Sequence, residues 1–172
     1  LLQFAVPFLI ANVLQALYGG ADLFVVGQYD DSASVAAVAI GSQVMHMITV
    51  MIVGLAMGAT VTIGRAVGAE NKPRAARLIG NTVTLFMAGS VVLAAVLVGL
   101  VDPIVRIVST PEQAVAGTRT YLIICFIGVP CITAYNIMAS IFRGLGDSRS
   151  PMYFIAVACA INIILDYLFI GG

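Results

Sequence analysis

Long hydrophobic runs, separated by short charged segments, dominate the pattern of this sequence. The runs occupy residues 3–26, 33–63, 78–101, 119–142 and 151–170, and the only acids inside them are Asp22 and Asp166. A helix needs about 20 mostly apolar residues to cross a bilayer. The pattern therefore predicts five transmembrane helices, named spans 1 to 5 here, with no room for a separate water-soluble domain. The second run is long enough for a tilted helix or for one that protrudes into the interface.

Composition agrees with a membrane protein. Hydrophobic residues make up 61% of the chain, charged residues 9%, and the mean hydropathy is +1.08. Soluble domains carry about 25% charged residues, so this chain cannot cover a water-facing surface. We therefore expect an all-α integral membrane protein with the lipid bilayer as a partner. The net charge of +0 gives no sign of a nucleic-acid partner.

The distribution of basic residues orients the spans. The loop between spans 2 and 3, residues 65–77, holds four of the eight basic residues, and the loop between spans 4 and 5 adds Arg143 and Arg149. The opposite side has Arg106 and Arg119. Because loops rich in lysine and arginine stay in the cytoplasm, we expect a multi-pass protein of the plasma (inner) membrane with a cytoplasmic N-terminus.

The two acids inside spans are the most informative polar residues. A carboxylate at the bilayer centre costs about 2.5–3.5 kcal/mol on insertion scales, and such residues usually face a bundle interior or a water-filled cavity. Asp22 and Asp166 each lie four residues before the outer end of a span that runs outward. Asn162 precedes Asp166 by one helical turn and shares its face. We therefore expect both acids to reach one cavity in the outer half of the membrane.

This pair of acids has two possible uses. Desolvation and a like-charged neighbour favour the protonated form of a carboxylate, so the pair could exchange a proton with the outside. Carboxylate and amide oxygens are also hard ligands suited to a small cation such as Na⁺. The residues do not choose between H⁺ and Na⁺. The alternative for Asp22 is a helix cap near the interface, beside a local break at Gly19 and Gly20.

Other in-span residues have weaker interpretations. Two glycine pairs, Gly54 with Gly58 and Gly64 with Gly68, have the small-xxx-small spacing that lets helices approach closely, and we interpret them as packing sites within the bundle. Pro130 lacks an amide hydrogen and predicts a kink in span 4. His46 lies in the middle of span 2, and we interpret it as a hydrogen-bonded packing residue.

Five motifs follow one another along the chain: Tyr18-Gly-Gly-Ala-Asp22, Val26-Gly27, Gly64-Arg-Ala-Val-Gly-Ala-Glu70, Phe142-Arg-Gly-Leu-Gly-Asp-Ser-Arg-Ser-Pro151 and Asn162-Ile-Ile-Leu-Asp166. Together they resemble the multidrug and toxic compound extrusion (MATE) family over the whole chain. The most specific pieces are the Arg-Gly-x-Gly-Asp loop and the Asn-x-x-x-Asp of span 5.

The resemblance implies a twelve-helix transporter built from two six-helix lobes. This chain would supply five transmembrane helices of the N-terminal lobe, and the sixth span and the C-terminal lobe would be missing partners of the same transporter. The implied function is antiport, in which organic cations or drugs leave while H⁺ or Na⁺ enters. The implied ion-coupling residues are Asp22, Asn162 and Asp166; Gln15, Tyr121 and Asn136 match further residues that line the cavity.

Three other function classes compete with antiport. A lipid-linked oligosaccharide flippase of the same superfamily is expected to place basic residues in its cavity, whereas the in-span charges here are acidic. A membrane-embedded enzyme needs a nucleophile, a base or a metal cluster at one depth, and the sequence offers none, so we expect no catalytic residues and no cofactor. The loop from Arg143 to Asp147 lacks the Lys-Ser/Thr of a phosphate-binding loop, and we interpret it as a structural corner. A structural scaffold leaves the two matched acids unexplained.

Overall fold

The computed structural model describes residues 32–169 and the isolated positions 6, 9, 10, 13, 14, 17 and 20, with the backbone alone at positions 162, 163 and 165–169. The described part contains six α-helices. Spans 2 and 3 are the helices Ser32–Gly68 and Lys72–Gly99. A short helix Val101–Ile107 and a 3₁₀ turn Glu112–Ala114 lead into span 4, which consists of Val115–Ile127 and Val129–Gly144; span 5 is Arg149–Phe169.

The helices support the membrane class. Within the described residues, Ser32–Gly68 and Lys72–Gly99 are long and apolar enough to cross a membrane, and the two halves of span 4 make a third candidate if they cross as one. The 37 residues of span 2 correspond to a length of about 55 Å. This length exceeds the roughly 30 Å of bilayer hydrocarbon. The helix therefore tilts or extends beyond the hydrocarbon.

Span 2 continues beyond the end of its hydrophobic run, and span 3 begins before the start of its own. A charged residue marks the membrane boundary and does not end a helix. The end of span 2 is set at Glu70, which has φ of +53°. Span 3 then begins with Asn71 as its N-cap, whose side-chain oxygen accepts a hydrogen bond of 3.0 Å from the Arg74 amide. Pro73 lies in the first turn, where its missing N–H costs nothing. A tight corner therefore joins two long antiparallel helices.

Span 4 is bent by 49° between Ile127 and Val129. Pro130 is the second residue of the second half, and its missing amide hydrogen breaks the helical hydrogen-bond ladder at this point. The kink predicted at Pro130 is confirmed. The bend divides span 4 into two halves, and each half packs against span 2.

Close contacts show that spans 2 and 4 run in the same direction. At one end, a Cβ added to Gly117 would lie 3.0 Å from the Cβ of Ala37. At the other end, a Cβ added to Gly64 would lie 3.4 Å from the carbonyl oxygen of Gly144. The second contact brings two basic loops to the same end of the bundle, which we name the basic end. Six of the eight arginine and lysine residues belong to it: Arg65, Lys72, Arg74, Arg77, Arg143 and Arg149.

Two clusters of buried side chains fill the space between spans 2, 3 and 4. The larger contains residues of span 2, the short helix and the first half of span 4, including Ile52, Val105 and Phe126. The smaller joins Ile63 to Ile137 and Ile141 toward the basic end. Burial of these apolar side chains fixes the first half of span 4 against span 2, and this packing positions the site described below.

The Arg-Gly-x-Gly-Asp segment forms the corner between spans 4 and 5. The amide of Gly146 donates to the Arg143 carbonyl at 3.1 Å, and the amide of Asp147 donates to the Phe142 carbonyl at 2.8 Å. These two bonds define a Schellman helix end, which needs a left-handed residue between them. Gly146 supplies it with φ of +87°. The segment is therefore a structural corner, as the sequence predicted.

Asp147 also begins span 5. Its Oδ1 accepts hydrogen bonds from the amides of Arg149 at 2.9 Å and Ser150 at 3.1 Å, and the Ser150 hydroxyl donates to its Oδ2. Negative charge is favourable at a helix N-terminus because the first amides point toward it. The Ser150 hydroxyl, the two backbone amides and the charge of Arg149 hold the pKa of Asp147 below its ordinary value, against a smaller opposing effect of desolvation.

We expect this cap to make stability depend on acid pH. A lowered pKa in the folded state stabilises the protein above the unfolded-state value of about 3.9, and this contribution is lost as the pH falls through the lower folded value. The midpoint of thermal unfolding, compared at about pH 6 and about pH 3, should fall more for wild type than for Asp147→Asn. Asparagine keeps an acceptor oxygen but does not ionise. Equal falls in both proteins would show that Asp147 has no such role.

Candidate functional site

Tyr121 lies against span 2 at a position without a side chain. A Cβ placed on Gly41 would lie 2.3 Å from Cδ1 and 2.7 Å from Cε1 of the Tyr121 ring. The Tyr121 hydroxyl lies 3.1 Å from Oγ of Ser42, within hydrogen-bond distance. A buried hydroxyl in an apolar bundle is costly unless it is hydrogen-bonded. Gly41 and Ser42 therefore form a seat that holds both the ring and the hydroxyl.

Asn136 lies inside the second half of span 4 and is 7% exposed. Its Nδ2 donates a hydrogen bond of 2.8 Å to the carbonyl of Ile132, one turn earlier in the same helix. The amide is therefore held against its own backbone by a local bond.

Tyr121 and Asn136 belong to opposite halves of span 4, on either side of the bend at Gly128. The intervening residues correspond to about 20 Å of helix. The two residues therefore cannot ligate one small ion together. Each could line a different level of an elongated cavity.

Two buried hydroxyls were missed by the sequence analysis. Thr118 and Thr133 are 0% and 2% exposed, and neither Oγ1 has a hydrogen-bond partner among the described residues. Each lies one turn before a predicted site residue, so Thr118 shares a face with Tyr121, and Thr133 with Asn136. We name these four residues the polar seam of span 4. The signal that could have found the threonines is this spacing of three residues.

The remaining predicted residues fall outside the described side chains. Gln15 and Asp22 lie outside the described residues. The helix of span 5 is continuous from Arg149 to Phe169, so the backbone positions 162 and 166 are one turn apart in it. Among the described residues, no group of three or more histidine, cysteine or acidic side chains is arranged to hold a metal ion. The shared cavity of Asp22 and Asp166 stays a prediction.

His46 corrects one interpretation. Its side chain is exposed on the surface of span 2, as is that of Gln43 one turn earlier. No hydrogen bond joins His46 to another described residue. The interpretation of His46 as a hydrogen-bonded packing residue is therefore wrong. The sequence of an apolar helix does not indicate which face is buried, because a polar residue such as His46 can lie on the exposed face.

Comparisons with known proteins assign this fold to a family. The profile of the MatE family matches residues 7–168. The chain is 34% identical over its whole length to the "probable multidrug resistance protein NorM" of Thermotoga maritima, covering 37% of that protein. It is 32% identical over 98% of its length to the "probable multidrug resistance protein YoeA" of Bacillus subtilis, covering 36% of it. A crystal structure of a MATE protein "in the bent conformation" superposes with a TM-score of 0.91 at 27% identity, covering 98% of this chain and 38% of that one.

A bundle of apolar helices that buries a few polar side chains is typical of a membrane transporter. The chain belongs to the MATE family of transporters and is not an enzyme. It spans about 37% of the length of the T. maritima relative that it matches.

Proposed function

We propose that this chain is the incomplete N-terminal lobe of an ion-coupled antiporter that exports organic cations and drugs across the plasma membrane. H⁺ or Na⁺ enters through a site formed by Asp22, Asn162 and Asp166. The missing sixth span and the C-terminal lobe complete the transport path.

The polar seam of span 4 is the observation that carries this proposal. Most other buried side chains of the described bundle are apolar, and an unpaired buried hydroxyl costs about 1–3 kcal/mol. Two such hydroxyls, on Thr118 and Thr133, therefore need a reason to be kept. Contact with water or with a passing ion supplies one, because buried polar groups without protein partners are commonly satisfied by water.

Antiport follows from competition for the same acids. When the coupling ion neutralises Asp22 and Asp166, the cavity loses its attraction for a cation; when the ion leaves, the attraction returns. A ligand shifts a conformational equilibrium only through its different affinity for the two states. The ion-bound and the cargo-bound transporter therefore favour opposite-facing states, provided that the acids differ in protonation or ion occupancy between these two states. Tyr121 adds an aromatic face, to which organic cations are attracted.

The first test uses the whole transporter that carries this chain, reconstituted in vesicles. Ethidium efflux is measured while a pH gradient or a Na⁺ gradient is imposed in turn. We expect one gradient to drive efflux and its collapse by an ionophore to stop it, with protein-free vesicles as the control. If neither gradient moves ethidium, the antiport proposal fails, and a lipid-linked cargo becomes the next substrate to test.

A further inference from the structure

A cavity opens at the end of the bundle opposite the basic end. Its volume is about 410 Å³, and its polar lining residues are Asp102, Arg106, Ser109, Thr110 and Arg119. Sites for small molecules commonly measure about 300–1,000 Å³. The cavity lies between the short helix Val101–Ile107 and the first turns of span 4, and none of the four residues of the polar seam lines it. The function proposed above does not use it.

The lining carries an excess of positive charge. Arg119 donates from Nε to Oδ1 of Asp102 at 2.7 Å, and both side chains are more than half exposed. This bond uses the Nε of the guanidinium, so the Nη groups can reach a ligand. The Arg106 side chain has no hydrogen bond or ion pair with another described residue. Two arginines against one aspartate leave the cavity suited to an anion.

The turn that carries these residues is fixed by its own hydrogen bonds. The Thr110 hydroxyl donates to the carbonyl of Val105 at 3.0 Å, and the Ser109 amide donates to that of Arg106 at 3.1 Å. Ser109 has φ of +54°, a conformation that residues other than glycine seldom adopt. These bonds occupy the carbonyls at the end of the short helix. These carbonyls therefore compete less for the arginine side chains that line the cavity.

Apolar side chains line the cavity and neighbour it in the sequence: Val105 and Val115 are lining residues, and Leu100, Ile107 and Val108 lie beside the lining segment along the chain. Leu100 is 48% exposed, Ile107 81% and Val108 37%. In a transmembrane bundle, such exposed side chains lie against acyl chains. Two arginines beside exposed aliphatic residues match a molecule with a phosphate joined to hydrocarbon, because guanidinium groups recognise phosphate. A free phosphate ion would use the arginines and leave the apolar rim without a role.

The geometry points to a phospholipid site in this cavity, with the headgroup phosphate bound by Arg106 and Arg119 and the acyl chains against Leu100, Ile107 and Val108. Guanidinium groups bind phosphate oxygens through charge-assisted hydrogen bonds, often two at a time. Arg119 also ties the cavity to Asp102, so its replacement would disturb the structure. Arg106 is the cleaner position to change.

The test measures lipid retention on the whole protein. The protein is taken from nanodiscs of phosphatidylglycerol and phosphatidylcholine into detergent, and bound phospholipid is counted by native mass spectrometry. We expect Arg106→Gln to weaken retention about tenfold, the loss expected for one charge-assisted hydrogen bond. Arg106→Lys should keep part of it. Arg74→Gln, at the basic end, is the matched control and should retain lipid like wild type.

Two results would overturn the proposal. One is equal retention by wild type and Arg106→Gln, provided both unfold at the same temperature. The other is equal loss in Arg106→Gln and Arg74→Gln, which would indicate a general effect of protein charge. A separate titration with inorganic phosphate distinguishes the source of the anion. Arg106-dependent binding of inorganic phosphate without Arg106-dependent lipid retention would assign the cavity to a free anion and reject the lipid.

Discussion

Gly41→Ala is expected to lower the free energy of unfolding by about 1–3 kcal/mol, the usual cost of overpacking a core. The new Cβ would lie 2.3 Å from Cδ1 and 3.3 Å from Cγ of the Tyr121 ring. An aromatic ring is rigid, and the bond between its hydroxyl and Ser42 restrains its movement. Either the ring leaves the seat or spans 2 and 4 separate. Unfolding in mixed detergent micelles measures the loss.

The matched control for Gly41 is Gly54→Ala in the same helix. No described residue lies within 4 Å of a Cβ at Gly54, so alanine should be neutral or stabilising by up to about 1 kcal/mol because it favours helix more than glycine does. The loss at Gly41 should also shrink in a Tyr121→Ala background, because the clash has been removed. Equal effects at Gly41 and Gly54, or an unchanged loss without the ring, would contradict the packing described for Tyr121.

The comparison of Gly41 with Gly54 also shows the limit of sequence reasoning about packing. Charge-free runs predicted the long helices of spans 2 and 3, and Pro130 predicted the bend of span 4. The small-xxx-small spacing pointed to Gly54, Gly58, Gly64 and Gly68. An added Cβ at Gly64 would lie 3.4 Å from the Gly144 carbonyl, which agrees with the interpretation, whereas no described residue lies within 4 Å of a Cβ at the other three. Spacing shows that two glycines share a face, but it does not show whether that face meets another helix. Gly41, Gly117 and Gly144, which this spacing did not mark, make further close contacts.

The sequence pointed to two residues of the polar seam, Tyr121 and Asn136, and missed the other two, Thr118 and Thr133. Tyr121 and Asn136 were named because they match cavity-lining residues of the family that the sequence resembles. Thr118 and Thr133 were missed because threonine is easily accommodated in a transmembrane helix. Its hydroxyl can bond to a carbonyl of the preceding turn, as Thr84 does to Gly80 at 3.0 Å. Only burial and the missing partner in the structure separate the two kinds of threonine.

Asp166→Asn is expected to reduce gradient-driven ethidium efflux by at least about tenfold, to the level of vesicles without an imposed gradient. An interaction with a charged group contributes about 1.5–3 kcal/mol, which corresponds to a tenfold or greater change in an equilibrium. Asparagine has nearly the same shape but neither takes up a proton nor carries the charge that attracts Na⁺. The coupling step should therefore fail while the helix of span 5 still forms.

Two further variants make the efflux result specific. Glu70→Gln removes an acid from the exposed loop between spans 2 and 3 and should leave efflux unchanged. Asp22→Asn separates the two interpretations of Asp22, because asparagine caps a helix as well as aspartate does but cannot couple. Loss of efflux in Asp22→Asn supports the paired site, whereas retained efflux assigns Asp22 to a cap and leaves Asp166 as the coupling acid. Wild-type efflux in Asp166→Asn would remove the coupling site from this lobe.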